Sequence, residues 1–164
     1  MTDLMKIAIM GYGTVGSGVF HLMRKNAAAI EDRLGWGLSV KYVLDLRDFK
    51  GAAAEPFIVH DFETIANDKE VKIVVETMGG LHPAYDFTKR LLEAGKSVCT
   101  SNKELVAEHG IELMALARQN NVNYMFEASC GGGERKGQKP KKKSEAGEPE
   151  EIKVFKQELP FGYK

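Results

Sequence analysis

Along roughly the first 130 residues, short apolar runs alternate with stretches in which apolar side chains return every three or four positions. Lys6–Met10 (KIAIM) is an apolar run bounded by Gly11, which predicts a buried strand. From Thr14 to Ile30 the period changes: Val15, Val19, Leu22 and Met23 recur at helical spacing. RLGWG ends that pattern with Gly35 and Gly37. Val40–Leu46 (VKYVLDL) predicts a second strand, and PFIVH after Pro56 a short third. DFETIAND predicts a turn or two of helix with Asp61 as its N-cap. Val71–Thr77 (VKIVVET) is nearly all β-branched, as a strand buried on both faces should be. Gly79 and Gly80 end it, Pro83 takes the first helical position, and a helix over Tyr85–Ala94 closes at Gly95. Lys96–Thr100 predicts the next strand. A helix over Asn102–Asn120 follows, with Gly110 as a point of interruption, and then a last strand over Val122–Ala128.

Strands that alternate with helices pair in parallel through right-handed crossovers. The expectation for residues 5–128 is therefore an α/β domain: an open, doubly wound parallel sheet of five or six strands with helices on both faces.

Composition adds a boundary. Hydrophobic residues make up 43% of 164, enough for one domain with a real core, and the net charge is zero. That balance argues against nucleic acid or a membrane surface as the partner of the whole chain. It conceals an asymmetry, since residues 134–164 carry nine basic and six acidic side chains and three of the five prolines. Such a segment buries too little apolar surface to offset its ordering entropy. The expected organisation is a folded domain over 1–133 and a disordered or weakly ordered charged tail over 134–164. KPKKK (Lys139–Lys143) is followed at once by Glu145, Glu148, Glu150 and Glu151, so a solvated linker is expected rather than a nucleic-acid site. Cys99 and Cys130 fit neither a metal spacing nor a disulfide framework. Reduced thiols, an N-terminal apolar run too short for a signal peptide and no run long enough to span a bilayer predict a cytoplasmic protein.

The chemistry starts at Gly11. IAIMGYGTVGSGV places Gly11, Gly13 and Gly16 in G-x-G-x-x-G spacing, after a predicted strand and at the opening of a predicted helix. Gly11 permits the tight turn, Gly13 lets backbone approach a pyrophosphate, and Gly16 lets helix and strand pack closely. The anion then meets free N–H groups at the positive helix end. This is the dinucleotide-binding arrangement of Rossmann-type domains. The end of the second strand normally meets the adenosine ribose, and here it reads LDLRDFKG. Asp45 would accept from a ribose 2′-hydroxyl and favour NAD; Arg47 would pair with a 2′-phosphate and favour NADP. A solvated loop charge is the plain alternative for either residue.

GYGTVGSGV, VVETMGGLHPA, TSNKELVAEHG and FEASCGGG, in this order, resemble the nucleotide-binding domain of homoserine dehydrogenase over residues 5–133. That resemblance implies an oxidoreductase that reduces aspartate semialdehyde to homoserine with NAD(P)H in threonine and methionine biosynthesis. It implies that Gly11, Gly13, Thr14, Val15 and Gly16 hold the pyrophosphate, and it tilts the cofactor towards NADP through Arg47. Gly79 and Gly80 would line the nicotinamide side. Thr100, Ser101, Asn102 and Lys103 match a T-x-N-K stretch in which the lysine faces the reacting centre, where it can stabilise negative charge or relay a proton. Read without the resemblance, Lys103 is a surface lysine at a helix start, and Glu76 caps a loop. Glu127, Gly132 and Gly133 match the stretch that leads to the substrate domain. In the family the double glycine continues into isoleucine and proline; here Glu134 follows, and the later family features are missing. The expectation is a truncated cofactor domain, inactive alone, that takes the amino-acid substrate only if the missing part is supplied. The alternative is a non-catalytic nucleotide-binding or interaction module whose tail contacts a partner.

Overall fold

The computed structural model describes residues 4–126, so the expectations for Glu127, Ala128, Cys130, the glycine triplet and the charged tail lie outside the described residues. The chain runs β1 (Leu4–Met10), α1 (Thr14–Lys25), α2 (Ala27–Leu34), β2 (Gly37–Leu44), a 3-10 turn (Glu55–Phe57), β3 (Ile58–Val59), α3 (Phe62–Ala66), β4 (Val71–Glu76), α4 (Ala84–Glu93), β5 (Ser97–Thr100), α5 (Lys103–Gln119) and β6 (Tyr124–Met125). The six strands form one sheet in the order β3-β2-β1-β4-β5-β6. Every neighbouring pair is parallel. The order reverses between β1 and β4, the switch point where open α/β sheets bind ligands beyond their strand ends.

Alternation along β1 supplies both faces. Ala8 and Met10 enter a core with Val74, Leu91, Leu105 and Leu113, which brings α4 and α5 onto one face. Ile9 points the other way, into a core with Tyr12, Phe20 and Val43 that brings α1 onto the opposite face. Phe20 is fully buried, a placement that contributes roughly 1.5–3 kcal/mol. Helices on both faces of a parallel sheet confirm the doubly wound expectation.

Several boundaries differ from those the pattern predicts. The helix expected over 14–30 is two helices, broken at Asn26, whose side-chain amide donates to the Leu22 carbonyl at 3.0 Å. An asparagine that bonds back to the helix competes with the backbone ladder. No residue of α2 is fully buried. β2 starts three residues earlier than expected, at Gly37, and stops at Leu44, which leaves Asp45, Leu46 and Arg47 in the loop beyond it. The third strand is only Ile58–Val59. β4 exposes Lys72, so it is not buried on both faces throughout. Pro83 caps α4 from outside its first turn, after a cis His82–Pro83 bond. α5 runs unbroken through Gly110, which is buried, and a Cβ there would meet Val106 Cγ1 at 3.3 Å. Asp61 caps α3 as expected, accepting from the Glu63 N–H at 3.0 Å.

Candidate functional site

The site begins where β1 ends. Gly11 has φ +93°, a left-handed conformation that side chains disfavour, and its N–H donates to the Leu44 carbonyl at 2.8 Å. The chain thereby turns sharply into α1. A Cβ on Gly16 would lie 1.8 Å from the Gly11 carbonyl oxygen and 2.8 Å from Thr77 Oγ1, so only glycine lets α1 approach this closely. At Gly13 the geometry is the reverse: an added Cβ would meet none of the described residues within 4 Å. Among the described residues no side chain caps α1, and no acidic residue stands in its first turn. The first-turn N–H groups, next to exposed Thr14 and Val15, therefore keep their positive end uncovered. These residues fit a pyrophosphate.

Sequence reasoning missed the residue that locks this turn. Thr77, just past β4, places its hydroxyl 2.9 Å from both the Met10 and Gly11 carbonyl oxygens. It ties β4 to the turn across the switch point. Its signal in the sequence is only a threonine after a β-branched run.

At the end of β2, Asp45 and Arg47 are partners. Asp45 Oδ2 accepts from the Tyr12 N–H at 2.8 Å and from Arg47 Nη2 at 3.2 Å. Its Oδ1 accepts from the Arg47 N–H at 3.0 Å and from Arg47 Nε at 3.1 Å. Burial alone would raise this carboxyl, but the bonds from Arg47 and Tyr12 outweigh it and hold Asp45 below the usual carboxylate range. The Arg47 side chain is 64% exposed and lies over the Phe49 ring at 4.5 Å.

A cleft of about 560 Å³ opens beside this loop and the glycine turn. Its walls include residues the sequence reading did not single out as a site. Leu46 is 92% exposed at the cleft. Phe62 and Phe87 stack with centroids 4.0 Å apart and ring planes 2° off parallel. His60 lies 2.7 Å through Nδ1 from the Asp45 carbonyl and 3.0 Å through Nε2 from Asp48 Oδ1. Phe62 and Phe87 come from helices far apart in sequence, so no local pattern announces the stack.

Across the switch point a second set gathers at the ends of β4 and β5. Glu76 is fully buried. Its carboxylate accepts from the Met78 N–H at 2.8 Å and the Thr100 hydroxyl at 2.5 Å. Thr100 Oγ1 accepts from the Asn102 N–H at 3.0 Å. Asn102 caps α5 through the Leu105 N–H at 3.1 Å, and its amide donates to the Gly80 carbonyl at 2.6 Å. Burial pushes the Glu76 carboxyl above its ordinary value, against hydrogen bonds from Thr100, Met78 and Asn102. Thr100 and Asn102 are buried, Ser101 is half-buried, and Gly79, Gly80 and Lys103 are exposed. Lys103 opens α5, where a cation runs against the helix dipole. Elsewhere, His82 pairs with Asp86 at 3.0 Å, and Cys99 is a half-buried free thiol that burial raises. Among the described residues no group of three or more His, Cys, Asp or Glu side chains offers a metal site, and no helix is long and apolar enough to cross a membrane.

The strand order, the glycine turn and the uncovered helix end define a dinucleotide-binding domain of Rossmann type. Residues 11–127 match the family of the homoserine dehydrogenase NAD-binding domain, and the chain belongs to that family. Its ligand class is accordingly a nicotinamide dinucleotide. The homoserine dehydrogenase of Lactococcus lactis is 40% identical over 133 residues, covering 77% of this chain and 31% of the relative. That of Neisseria gonorrhoeae is 38% identical over 130 residues, covering 77% and 30%. The crystal structure of S. aureus homoserine dehydrogenase at pH 7.5 superposes with a TM-score of 0.73 at 36% identity, covering 79% of this chain and 33% of that one. The chain thus spans about a third of the length of these relatives.

Proposed function

We propose that this chain is the cofactor-binding part of a homoserine dehydrogenase and that it prefers NADP(H) to NAD(H). Gly11, Gly13, Thr14, Val15 and Gly16 hold the pyrophosphate, because the turn is tight at Gly11, open at Gly13 and closed at Gly16. Leu46, Phe62 and Phe87 offer the adenine an apolar wall. One observation carries the choice of cofactor. A carboxylate has about four acceptor positions, and those of Asp45 are taken by Tyr12 N–H and three donors of Arg47. Asp45 has no acceptor left for a ribose hydroxyl, whereas the exposed Arg47 guanidinium stands at the cleft with donors to spare for a phosphate.

The bound nicotinamide supplies the hydride chemistry. The chain's own residues position it: Gly79 and Gly80 line its side of the sheet, and Thr100, Ser101 and Asn102 set the turn that presents Lys103 towards the reacting centre. Lys103 there stabilises charge or moves a proton at the substrate oxygen. Reduction of aspartate semialdehyde to homoserine also needs a substrate-binding part, and the relatives have about two thirds of their length beyond the part matched here.

The test is a calorimetric titration of the purified chain with NADP and with NAD. Tighter binding of NADP supports the proposal. Tighter binding of NAD would return the ribose to Asp45 and refute the NADP preference, and no binding of either would refute the cofactor role itself.

A further inference from the structure

Glu76 is the fully buried acidic residue of the site, and no ion pair neutralises it among the described residues. A carboxyl group in that position costs more than an apolar side chain of the same size unless its hydrogen bonds are made. It makes them to two different segments. The Met78 N–H belongs to the β4–α4 loop, which carries Gly79 and Gly80. The Thr100 hydroxyl belongs to the end of β5 and accepts in turn from the Asn102 N–H. Asn102 closes the circuit by donating to the Gly80 carbonyl and capping α5, whose first residue is Lys103.

A doubly wound sheet binds one mononucleotide on each side of its switch point. The phosphate turn, Asp45 and Arg47 lie on the β1–β3 side, and the Glu76 circuit lies on the β4–β6 side. We propose that Glu76 is a positioning residue for the nicotinamide half of the cofactor alone: as a carboxylate it holds the Gly79–Gly80 loop and the Ser101–Lys103 turn in mutual register. This inference rests on the cofactor-binding role proposed above.

Protonation would break the pattern. An ionised Glu76 accepts from both Met78 N–H and Thr100 hydroxyl, while a protonated one turns one oxygen into a donor and forces the Thr100 hydroxyl to reorient. Burial raises the Glu76 carboxyl, which brings that change closer to neutral pH. The titratable groups facing it are the Tyr124 phenol on β6 and, next to that phenol, the Cys99 thiol on β5; both are raised, chiefly by burial. The Tyr124 hydroxyl is buried and has no hydrogen-bond partner among the described residues. β1 contributes Met10 opposite Glu76, which carries no charge.

The experiment compares two probes on the 164-residue chain: oxidised NADP, and 2′-phospho-ADP-ribose, which lacks the nicotinamide. Calorimetric affinities are measured at pH about 8 and about 5 for the unaltered chain, Glu76→Gln and Thr100→Val. Both probes carry the 2′-phosphate, so its own titration cancels in their ratio. Glu76→Gln reproduces the hydrogen-bond pattern of the protonated carboxyl, and Thr100→Val removes the same bond from the other side. Each variant should weaken oxidised NADP about 3- to 10-fold and leave the fragment within about twofold. The unaltered chain should lose NADP's advantage over the fragment as pH falls, while Glu76→Gln shows no such change. Equal weakening of both probes means a fold-wide effect and overturns the proposal, as does an unchanged ratio or a wild-type pH profile in Glu76→Gln. If the unaltered chain prefers NAD, the same comparison is made with NAD and ADP-ribose. If it binds neither pair, the cofactor role fails and this inference fails with it.

Discussion

Gly16 packs against Gly11 so closely that a methyl group built on Gly16 would lie 1.8 Å from the Gly11 carbonyl oxygen. The obstacle is backbone, so it cannot swing aside. Gly16→Ala should therefore push α1 off the sheet and lower stability by about 2 kcal/mol or more, with loss of cofactor binding. Gly13→Ala should behave differently. Gly13 is extended, with φ −86° and ψ −155°, and its Cβ would meet none of the described residues within 4 Å. Stability should stay within about 0.5 kcal/mol, while the new methyl occupies the space a pyrophosphate needs. Thermal melts beside NADP titrations check the pair; a Gly13→Ala chain that binds normally would remove Gly13 from the phosphate site.

Arg47→Gln should weaken NADP by about 10- to 100-fold and NAD much less, the difference expected for one charge-assisted phosphate contact. The same change frees two acceptor positions on Asp45, now taken by Arg47 Nε and Nη2. NAD affinity should hold or rise. A parallel loss of both cofactors in the titration would show that Arg47 serves only to fix the loop.

The sheet and the glycine turn were legible because they depend on local signals: β-branched runs, and glycines at set offsets from a strand end. Asp45 and Arg47 were legible one at a time. Their pairing was not, because it depends on a loop conformation that also recruits the Tyr12 N–H across 33 residues. Thr77, Phe62 and Phe87 act through contacts that only the fold creates. The break at Asn26 was missed because apolar spacing continues past it, while a single side chain bonding back to Leu22 decides the outcome. Gly110 misled in the opposite sense. Glycine is a poor helix former, yet here its missing side chain suits a buried position beside Val106.

Asp68 should govern part of the acid limb of stability. Its carboxylate lies 2.6 Å from the Lys41 ammonium and accepts from the Tyr42 hydroxyl at 2.8 Å. The Lys41 bond chiefly, against burial, holds Asp68 down to about 2 from an ordinary 3.8. A depressed folded-state value stabilises above the unfolded value and is lost as pH falls towards about 2. Asp68→Asn should flatten stability in that window by about 1 kcal/mol, allowing for screening of a partly exposed pair. Urea melts across the acid range measure it; an unchanged acid limb in the variant would show that other carboxylates dominate.

Glu76 should act with the opposite sign. Burial raises its carboxyl above the ordinary 4.5, so the folded state holds this proton more tightly than the unfolded chain does. The associated stability is present below the unfolded value and is lost as pH rises through the folded one. Glu76→Gln, which carries no proton equilibrium, should gain stability relative to the unaltered chain as pH rises from about 4 towards neutrality. A relative stability that stays flat over that range would mean that the hydrogen bonds of Glu76 fully offset its burial.

A polypeptide of these 164 residues should bind oxidised NADP yet turn over neither homoserine nor aspartate semialdehyde. Hydride transfer requires the substrate carbon to be held against the nicotinamide in near-attack geometry, and that positioning supplies a large share of the rate. The cleft of this chain is lined by the glycine turn and the Asp45–Arg47 loop, while Lys103, at the start of α5, stands outside that lining. Gripping the ammonium and carboxylate of an amino acid takes further charged groups on rigid elements, and the relatives have about two thirds of their length beyond the part matched here. Absorbance of NADPH is followed with each substrate, beside a binding titration on the same preparation. Bound cofactor with no turnover is the expected result. Turnover at a rate of about 1 per second or more, abolished by Lys103→Ala, would show that this chain completes the site by itself.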